Sequence, residues 1–555
     1  MKDFFKNGTT LLFRRQTNIL SAATVIMATY GASALVGLFR DRLLVATFFG
    51  DRKWQLDAYF AAFLIPDTMF QLLVIGALSA AFIPIFGHLL AEKQEEDAWY
   101  VASASITIMM LAISLLAIIF GIFTYPISHV IAPGFAPVKL SLMVNLTRIM
   151  IVAQLFFALS GFLSAILQAH QRFLVPAIAP ILYNLGIILG TVGLSPVLGI
   201  YGPAVGVIIG SIFHFFIQFV PAVRIGFSLR PIWDPKHPAV VEIGRLMVPR
   251  TLALGIDQIE QFVAVFLTTF LAAGSLSLFN FARHLYLLPA SLFGAAIGQA
   301  SLPTLAHQAS KEIETFRKTF ISSFLQVFYL SFPAGMGILI LRVPLVRIIF
   351  GAKSFPWPAT ILTGQTLALF SLSIFALAAN QLLVRGFYAV KNTRAPLLVG
   401  LISAFINLIL SLIFTFSFGW GIRGIALAIS ISALCEVSLL AILLNRAVGR
   451  LLEKPLLVPM AKIAFATTVV GVTLWALMRY LDQLVFDTTR TSSLVALTLT
   501  VSLVGLVIYI GLSWVLHLEE LNAFVGLARR MGRWQEILSE SEETLEPSTT
   551  PTSPA

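Results

Sequence analysis

The stretch WYVASASITIMMLAISLLAIIFGIFTY, residues 99–125, contains no charged side chain. An α-helix rises 1.5 Å per residue, so about 20 such residues cross the roughly 30 Å hydrocarbon layer of a bilayer. Comparable runs recur along the whole chain, at 19–48, 57–90, 140–169, 174–197 and 202–224, then at 243–272, 276–306, 316–341, 360–388, 396–417 and 423–446, and finally at 457–480 and 492–516. The 555 residues are 58% hydrophobic and 11% charged, too little polar surface for a soluble protein of this size. The expected fold is an all-α membrane protein with about fourteen transmembrane helices.

The organisation follows from what interrupts these runs. Residues 1–18 carry Lys2, Lys6, Arg14 and Arg15 and read as a cytoplasmic N-terminus; Ala32-Ser33-Ala34 resembles a signal-peptide cleavage site, but the apolar run continues past it, so a retained first helix is expected. A polar connector at 225–242 separates six helices (19–224) from six more (243–446). The halves echo each other: Thr47-Phe48 recurs as Thr269-Phe270, Pro66 as Pro289, Asn184 as Asn407 and Gly202 as Gly424, each about 222 residues on. Six helices, an even number, fit that interval, so the expectation is two parallel lobes with a cavity between them. Helices 13 and 14 (457–516) lie outside the duplication. Beyond them, 517–538 reads as an amphipathic surface helix and 539–555, rich in Ser, Thr, Glu and Pro, as a disordered tail. With the N-terminus inside, roughly 21 Lys and Arg fall in cytoplasmic segments and roughly 9 outside, so both termini are expected in the cytoplasm.

The net charge of +11 resides mostly in short connectors, which fits anionic phospholipid rather than nucleic acid. The single cysteine, Cys435, excludes an internal disulfide or a cysteine-based metal site. No HExxH, Walker A, CxxC or nucleophile elbow is present, and every predicted external connector is short. Chemistry on the substrate is therefore not expected, and no cofactor is.

Charged residues inside a membrane are costly, about 2.5–3.5 kcal/mol each at the centre, so those present need a reason. Arg40-Asp41-Arg42 ends the first helix, and Asp57 and Asp67 lie in the second. Arg250, Asp257 and Glu260 lie in the seventh, Arg283-His284 in the eighth, and Asn380 and Arg385 in the tenth. With Arg148 of the fourth helix, six arginines stand against five carboxylates, which suits a polyanionic headgroup gripped by guanidinium forks. Bland readings stand beside each assignment. Arg42, Arg148, Arg172, Arg342 and Arg423 sit near predicted helix ends, where snorkelling explains them. Asp41 is also explained as a partner of Arg40, and Asp57 as a helix N-cap. Asp257 and Asn380 are candidates for a coupling cation or for ordinary hydrogen bonding.

At these residues the chain resembles the bacterial lipid II flippase family, the MurJ/MviN proteins of the multidrug/oligosaccharidyl-lipid/polysaccharide exporter superfamily. The similarity is carried by Ser33-Ala34-Leu35-Val36-Gly37-Leu38-Phe39-Arg40-Asp41, Asp57-Ala58-Tyr59-Phe60 and Ala80-Ala81-Phe82-Ile83-Pro84. It continues through Ala132-Pro133-Gly134-Phe135, Pro176-Ala177-Ile178-Ala179-Pro180 and Arg385-Gly386-Phe387-Tyr388-Ala389. Three family arginines are absent: Ala34 stands at one position, and Phe70-Gln71 replace a pair after Ile65-Pro66-Asp67. His284 occupies the place of another, with Arg283 one residue earlier.

The resemblance implies a monomeric inner-membrane transporter that flips lipid II, or a similar polyprenyl-diphosphate lipid, outward by alternating access. It implies a cationic cavity, a lipid-tail groove at helices 13 and 14, and drive by a monovalent cation, protons or the membrane potential. Substrate contacts are then expected from Arg40, Asp41, Asp57, Arg250, Arg283, His284 and Arg385. The alternatives are an exporter of another lipid-linked polysaccharide or of drugs, and a polyprenyl-dependent glycosyltransferase using Asp51 or Asp57.

Overall fold

The computed structural model describes residues 19–75, 81–352, 354–484, 490–522 and 526. The expected cytoplasmic N-terminus at 1–18, nearly all of the expected amphipathic helix and the 539–555 tail lie outside the described residues. What is described is helical, with no strand. The first set of long helices is α1 (Ile19–Phe48), α2 (Lys53–Val74), α3 (Glu95–Ile122), α4 (Pro137–Ala169), α5 (Leu174–Leu198) and α6 (Tyr201–Arg224). The second is α7 (Pro238–Thr268), α8 (Ser275–Lys311), α9 (Ile313–Phe350), α10 (Trp357–Ala389), α11 (Arg394–Ser417) and α12 (Ile422–Val448). Then come α13 (Lys454–Leu484) and α14 (Thr491–Val515).

Among the described residues, eleven helical segments are long and apolar enough to cross a membrane, against the fourteen expected. The three not counted are α1, α7 and α8, each of 30 residues or more. Each of the three includes residues whose side chains lie outside the described ones, and the eleven are counted among the described residues alone; each also carries charge, Arg40-Asp41-Arg42 in α1, Glu242, Arg245, Arg250, Asp257 and Glu260 in α7, and Arg283-His284 in α8. These polar helices form the seam between the two sets, with α8 packed on α1 and α2, and α7 on α2.

The duplication read from sparse sequence matches is repeated in backbone detail. A π-helical turn closes α5 at Gly190–Leu194 and α11 at Ile413–Ser417. Gly199, at φ 58° and ψ −134°, and Gly421, at φ 56° and ψ −133°, make the same tight entry to α6 and α12, a conformation open to glycine because it lacks Cβ. The chain leaves α4 through Gln171 and α10 through Lys391, both at φ 59°. The next amides then reach back five residues, Arg172 N to Leu167 O (2.8 Å) and Asn392 N to Phe387 O (2.9 Å), which is a Schellman closure in each case.

The apolar core has a shape that matters for function. One buried cluster is shared by both halves and gathers around the 49–52, 269–274 and 351–356 connectors, including Phe48, Phe49, Leu276, Phe281, Phe350 and Phe355. At the opposite end the halves have separate cores. Phe82, Phe86, Ala102, Phe162 and Ile166 belong to the first, which also takes in Val240 and Ile243 at the start of α7; Leu305, Phe316, Phe320, Leu382 and Leu444 belong to the second, which α13 and α14 extend through Ile463 and Val501. The molecule is joined at one end and divided at the other.

Candidate functional site

The junction is built first from α1. Consecutive side chains on a helix point about 100° apart, so Arg40 and Asp41 do not face each other by helix geometry alone. The long Arg40 side chain curls so that Nε and Nη2 both donate to Asp41 Oδ1, at 3.0 and 2.8 Å. Its Nη1 donates to Asn184 Oδ1 on α5 at 2.9 Å. The other Asp41 oxygen lies 2.6 Å from His284 Nδ1 on α8. A carboxylate only 1% exposed is thus held by one group from each half. This settles part of the sequence reading: Asp41 is the partner of Arg40, and also a bridge to His284.

Asp57 forms a second bridge nearer the joined end. It does not cap its own helix, which begins at Lys53. It caps α8 instead: Gly274 N–H donates to Oδ2 (2.7 Å), and Ser277 N–H and Oγ–H donate to Oδ1 (2.9 and 2.7 Å). Lys139 Nζ of α4 completes the site, 2.8 Å from Oδ2. A carboxylate at a helix N-terminus meets free amides and the positive end of the helix dipole, so the four donors form a strong buried clamp.

Further contacts seal that end. Gly134 N–H donates to Thr269 Oγ1 (3.3 Å), so close that a Cβ at position 134 would lie 2.6 Å from the Thr269 carbonyl. Arg42 Nη1 donates to the Ile348 carbonyl across the seam rather than snorkelling, and Ser354 Oγ donates to Val45 O (3.0 Å). The seam between α2 and α7 is held further in, by Thr68 to Gln258 (3.2 Å) and by Thr251 Oγ1 to Leu72 O (2.8 Å). The α1–α8 seam has no described hydrogen bond beyond Asp41–His284.

Next to His284 on α8 stands Arg283, and on α2 Asp67 follows Asp57 by ten residues. Asp67 is part-buried, and Arg283 and Arg40 are the charged groups that act on it. Tyr59 and Tyr183 complete its electrostatic surroundings. The arginine excess expected of the cavity is therefore offset here: Asp41 neutralises Arg40, and Asp67 opposes Arg283.

The remaining expected residues do not gather at this apex. Arg385 packs against Gly298, about 22 Å further along α8 than Arg283 at helical rise. Arg250 and Asp257 lie on α7, but their side chains lie outside the described residues. Asn380 donates through Nδ2 to Glu436 Oε1 at 3.0 Å, while its own Oδ1 is buried without a donor. At the matching place in the first half, Ser160 bonds His214 Nδ1 (2.6 Å) and Gln218 Nε2 (2.7 Å). At the first of the two positions where Phe70-Gln71 replace a pair of arginines, Phe70 packs on Phe157, with ring centroids 5.6 Å apart.

Lys139, Ser277, Asn184 and Glu436 were not among the residues assigned to the site from sequence. Asn184 had a signal, its recurrence as Asn407; the others pair with groups far away in the chain.

Comparison with known proteins places these features in context. The family described as "Lipid II flippase MurJ" matches residues 45–510. The chain is 29% identical over 514 residues to the "Probable lipid II flippase MurJ" of Bdellovibrio bacteriovorus, covering 91% of this chain and 96% of that one. It is 26% identical over 436 residues to the "Lipid II flippase MurJ" of Burkholderia cenocepacia, covering 77% and 83%. Its fold is that of a solved lipid II flippase MurJ in an inward closed conformation, with a TM-score of 0.73 at 24% identity over 89% of this chain and 98% of the other. A multidrug resistance MATE family transporter, in an inward-facing conformation, has a TM-score of 0.64 at 12% identity, covering 77% of this chain and 98% of that one.

Proposed function

The chain belongs to the lipid II flippase MurJ family, and from that premise we propose that it carries an undecaprenyl-diphosphate-linked saccharide, lipid II, from the cytoplasmic to the outer leaflet of the bacterial inner membrane by alternating access. The supporting observation is the divided core: the halves share one apolar cluster at the Asp57 end and keep separate clusters at the other, with Arg40 and Arg283 at the apex between them. The division into lobes at 19–224 and 243–446, the 225–242 connector and a lipid-tail groove at 457–516 are parts of this reading. So is the placement of both termini in the cytoplasm, which turns the divided end inward.

In this reading Arg283 and Arg40 receive the diphosphate from below, while Asp41 and His284 hold Arg40 in place. Asp57 has a different task from the headgroup contact expected of it: it latches the outer end. Arg385 of α10, which packs against Gly298 further along α8, meets the substrate near its entry, and Arg250 assists from α7. Substrate capture followed by release of the Asp41–His284 and Asp57–α8 bridges would open the outer end. Coupling to a cation or to the membrane potential is assigned to the second lobe, where Asn380 Oδ1 lacks a donor beside Glu436 and where Asp257 lies on α7. The protein acts as a monomer on membrane lipid, without a cofactor.

The direct check is rescue of a flippase-depleted bacterium by Arg40→Ala and Arg283→Ala, tested singly with membrane levels measured. Each variant is expected to fail or to support growth only weakly. Full cell-wall synthesis with both would refute the assigned grip. Full rescue by a wild-type chain that nevertheless moves no labelled lipid II in vesicles would refute the function.

A further inference from the structure

Asp67 has a setting that the proposed transport cycle has not yet used. It sits in a six-residue helical segment, Leu64–Met69, bounded by a break at Phe63 and by the π-helical turn Phe70–Ile75. Such irregular turns concentrate where a helix bends or does work. Its backbone amide is satisfied by Phe63 O at 2.8 Å, whereas its carboxylate makes no described hydrogen bond or ion pair. That contrasts with Asp41 and Asp57, whose oxygens are each taken up by two or more donors. The charged groups that act on it are Arg283 from α8 and Arg40 from α1, itself paired with Asp41 and through it with His284; Tyr59 of its own helix and Tyr183 of α5 lie within reach of its charge. From α7, Gln258 meets the neighbouring Thr68, and Glu260 acts on Tyr286 further off.

The charges at the apex balance only if Asp67 is ionised: Arg40 with Asp41, Arg283 with Asp67. An anionic headgroup that engages Arg283 and Arg40 adds negative charge beside an unpaired carboxylate in a poorly solvated place. Like charges in such a site disfavour the ionised form. We propose that Asp67 is a proton-binding site linked to cavity occupation: it is charged and opposes Arg283 when the cavity is empty, and it takes up one proton from solvent when a diphosphate headgroup occupies the space before Arg40 and Arg283. The proton adds to a carboxylate oxygen and no other bond changes. Because linkage is reciprocal, proton binding and headgroup binding strengthen each other, and binding weakens as pH rises. The proposal rests on the flippase reading and names what is coupled at its site.

The experiment uses the full-length protein in lipid nanodiscs with an undecaprenyl-diphosphate-linked sugar as probe, whose diphosphate is substituted at both ends and so binds no proton across the range tested. Affinity is measured from about pH 5 to about pH 9, and proton uptake is counted by calorimetry in buffers of different ionisation enthalpy. The wild type is expected to take up close to one proton, with Kd rising by up to about tenfold per pH unit across the titration. Asp67→Asn is expected to bind with no uptake and a flat pH profile. His284→Asn keeps an N–H donor for Asp41 without a titrating ring, and is expected to retain the uptake. Equal uptake by wild type and Asp67→Asn would overturn the proposal, as would uptake lost in His284→Asn and kept in Asp67→Asn. Absence of binding in both wild type and Asp67→Asn would overturn the flippase reading and the proposal with it, whereas binding without a proton overturns the proposal alone.

Discussion

At the scale of single residues, Asp57 shows how far a local reading reaches. Its position near the start of the second helix suggested either a headgroup contact or a cap. It is a cap, but of a helix whose first residues lie 217 to 220 positions away. No local pattern carries that information, because the partner is set by how the two halves dock. The Arg40–Asp41 pair was legible because the residues are adjacent; its link to His284 was not. Replacing Asp57 with Ala leaves Lys139 buried without a counter-ion and exposes two α8 amides, a loss on the order of 3 kcal/mol to closure of the outer end. In a Cys435→Ala background, a reporter Ala282→Cys is buried in the shared core. Asp57→Ala is expected to raise its maleimide labelling rate about 100-fold, which is that energy at about 1.4 kcal/mol per decade. An unchanged rate would remove the latch role.

Among elements, the tightest contact is that of α5 with α6. Gly186 and Gly190 face Gly202, Gly206 and Gly210, and the backbones approach until a Cβ on Gly206 would lie 2.8 Å from Gly186 O and 2.9 Å from Ile187 Cα. In lipid the apolar solvent drives no association, so close packing of small residues supplies it. Gly206→Ala is expected to cost about 1–3 kcal/mol and to lower the melting temperature in detergent by several degrees. Gly121→Ala, with nothing within 4 Å of its Cβ, should leave the melting temperature unchanged or slightly higher. Helix positions were legible because membrane spans need long unbroken apolar runs. The runs at 57–90 and 174–197 gave no sign of the π-helical turns within them, since a turn with one extra residue leaves composition unchanged.

For the whole molecule, duplication was legible from a few residues at one offset, and the glycine and π-turn pairs repeat it in coordinates. Which end is joined was not legible, since both ends of each lobe are equally apolar. Phe49 and Phe355 meet across the seam with ring centroids 4.9 Å apart. Cysteines at these two positions, with Cys435 replaced, are expected to be linked by a short reducible bifunctional thiol reagent. Linkage should abolish lipid II flipping in vesicles, and reduction should restore it. Transport that continues while the link is intact would exclude separation of this end from the cycle.

The charge carried by α7 bears on biogenesis as well as on transport. A helix carrying several ionised side chains gains little by leaving the insertion machinery alone, so its residence in lipid depends on neighbours that arrive later in synthesis. The opening helix of the second half is of this kind, with Glu242, Arg245, Arg250, Asp257 and Glu260, whereas α1 keeps an uncharged run at 19–39. Assembly of the second half is therefore a collective event, settled only once this less greasy member has been enclosed by its companions.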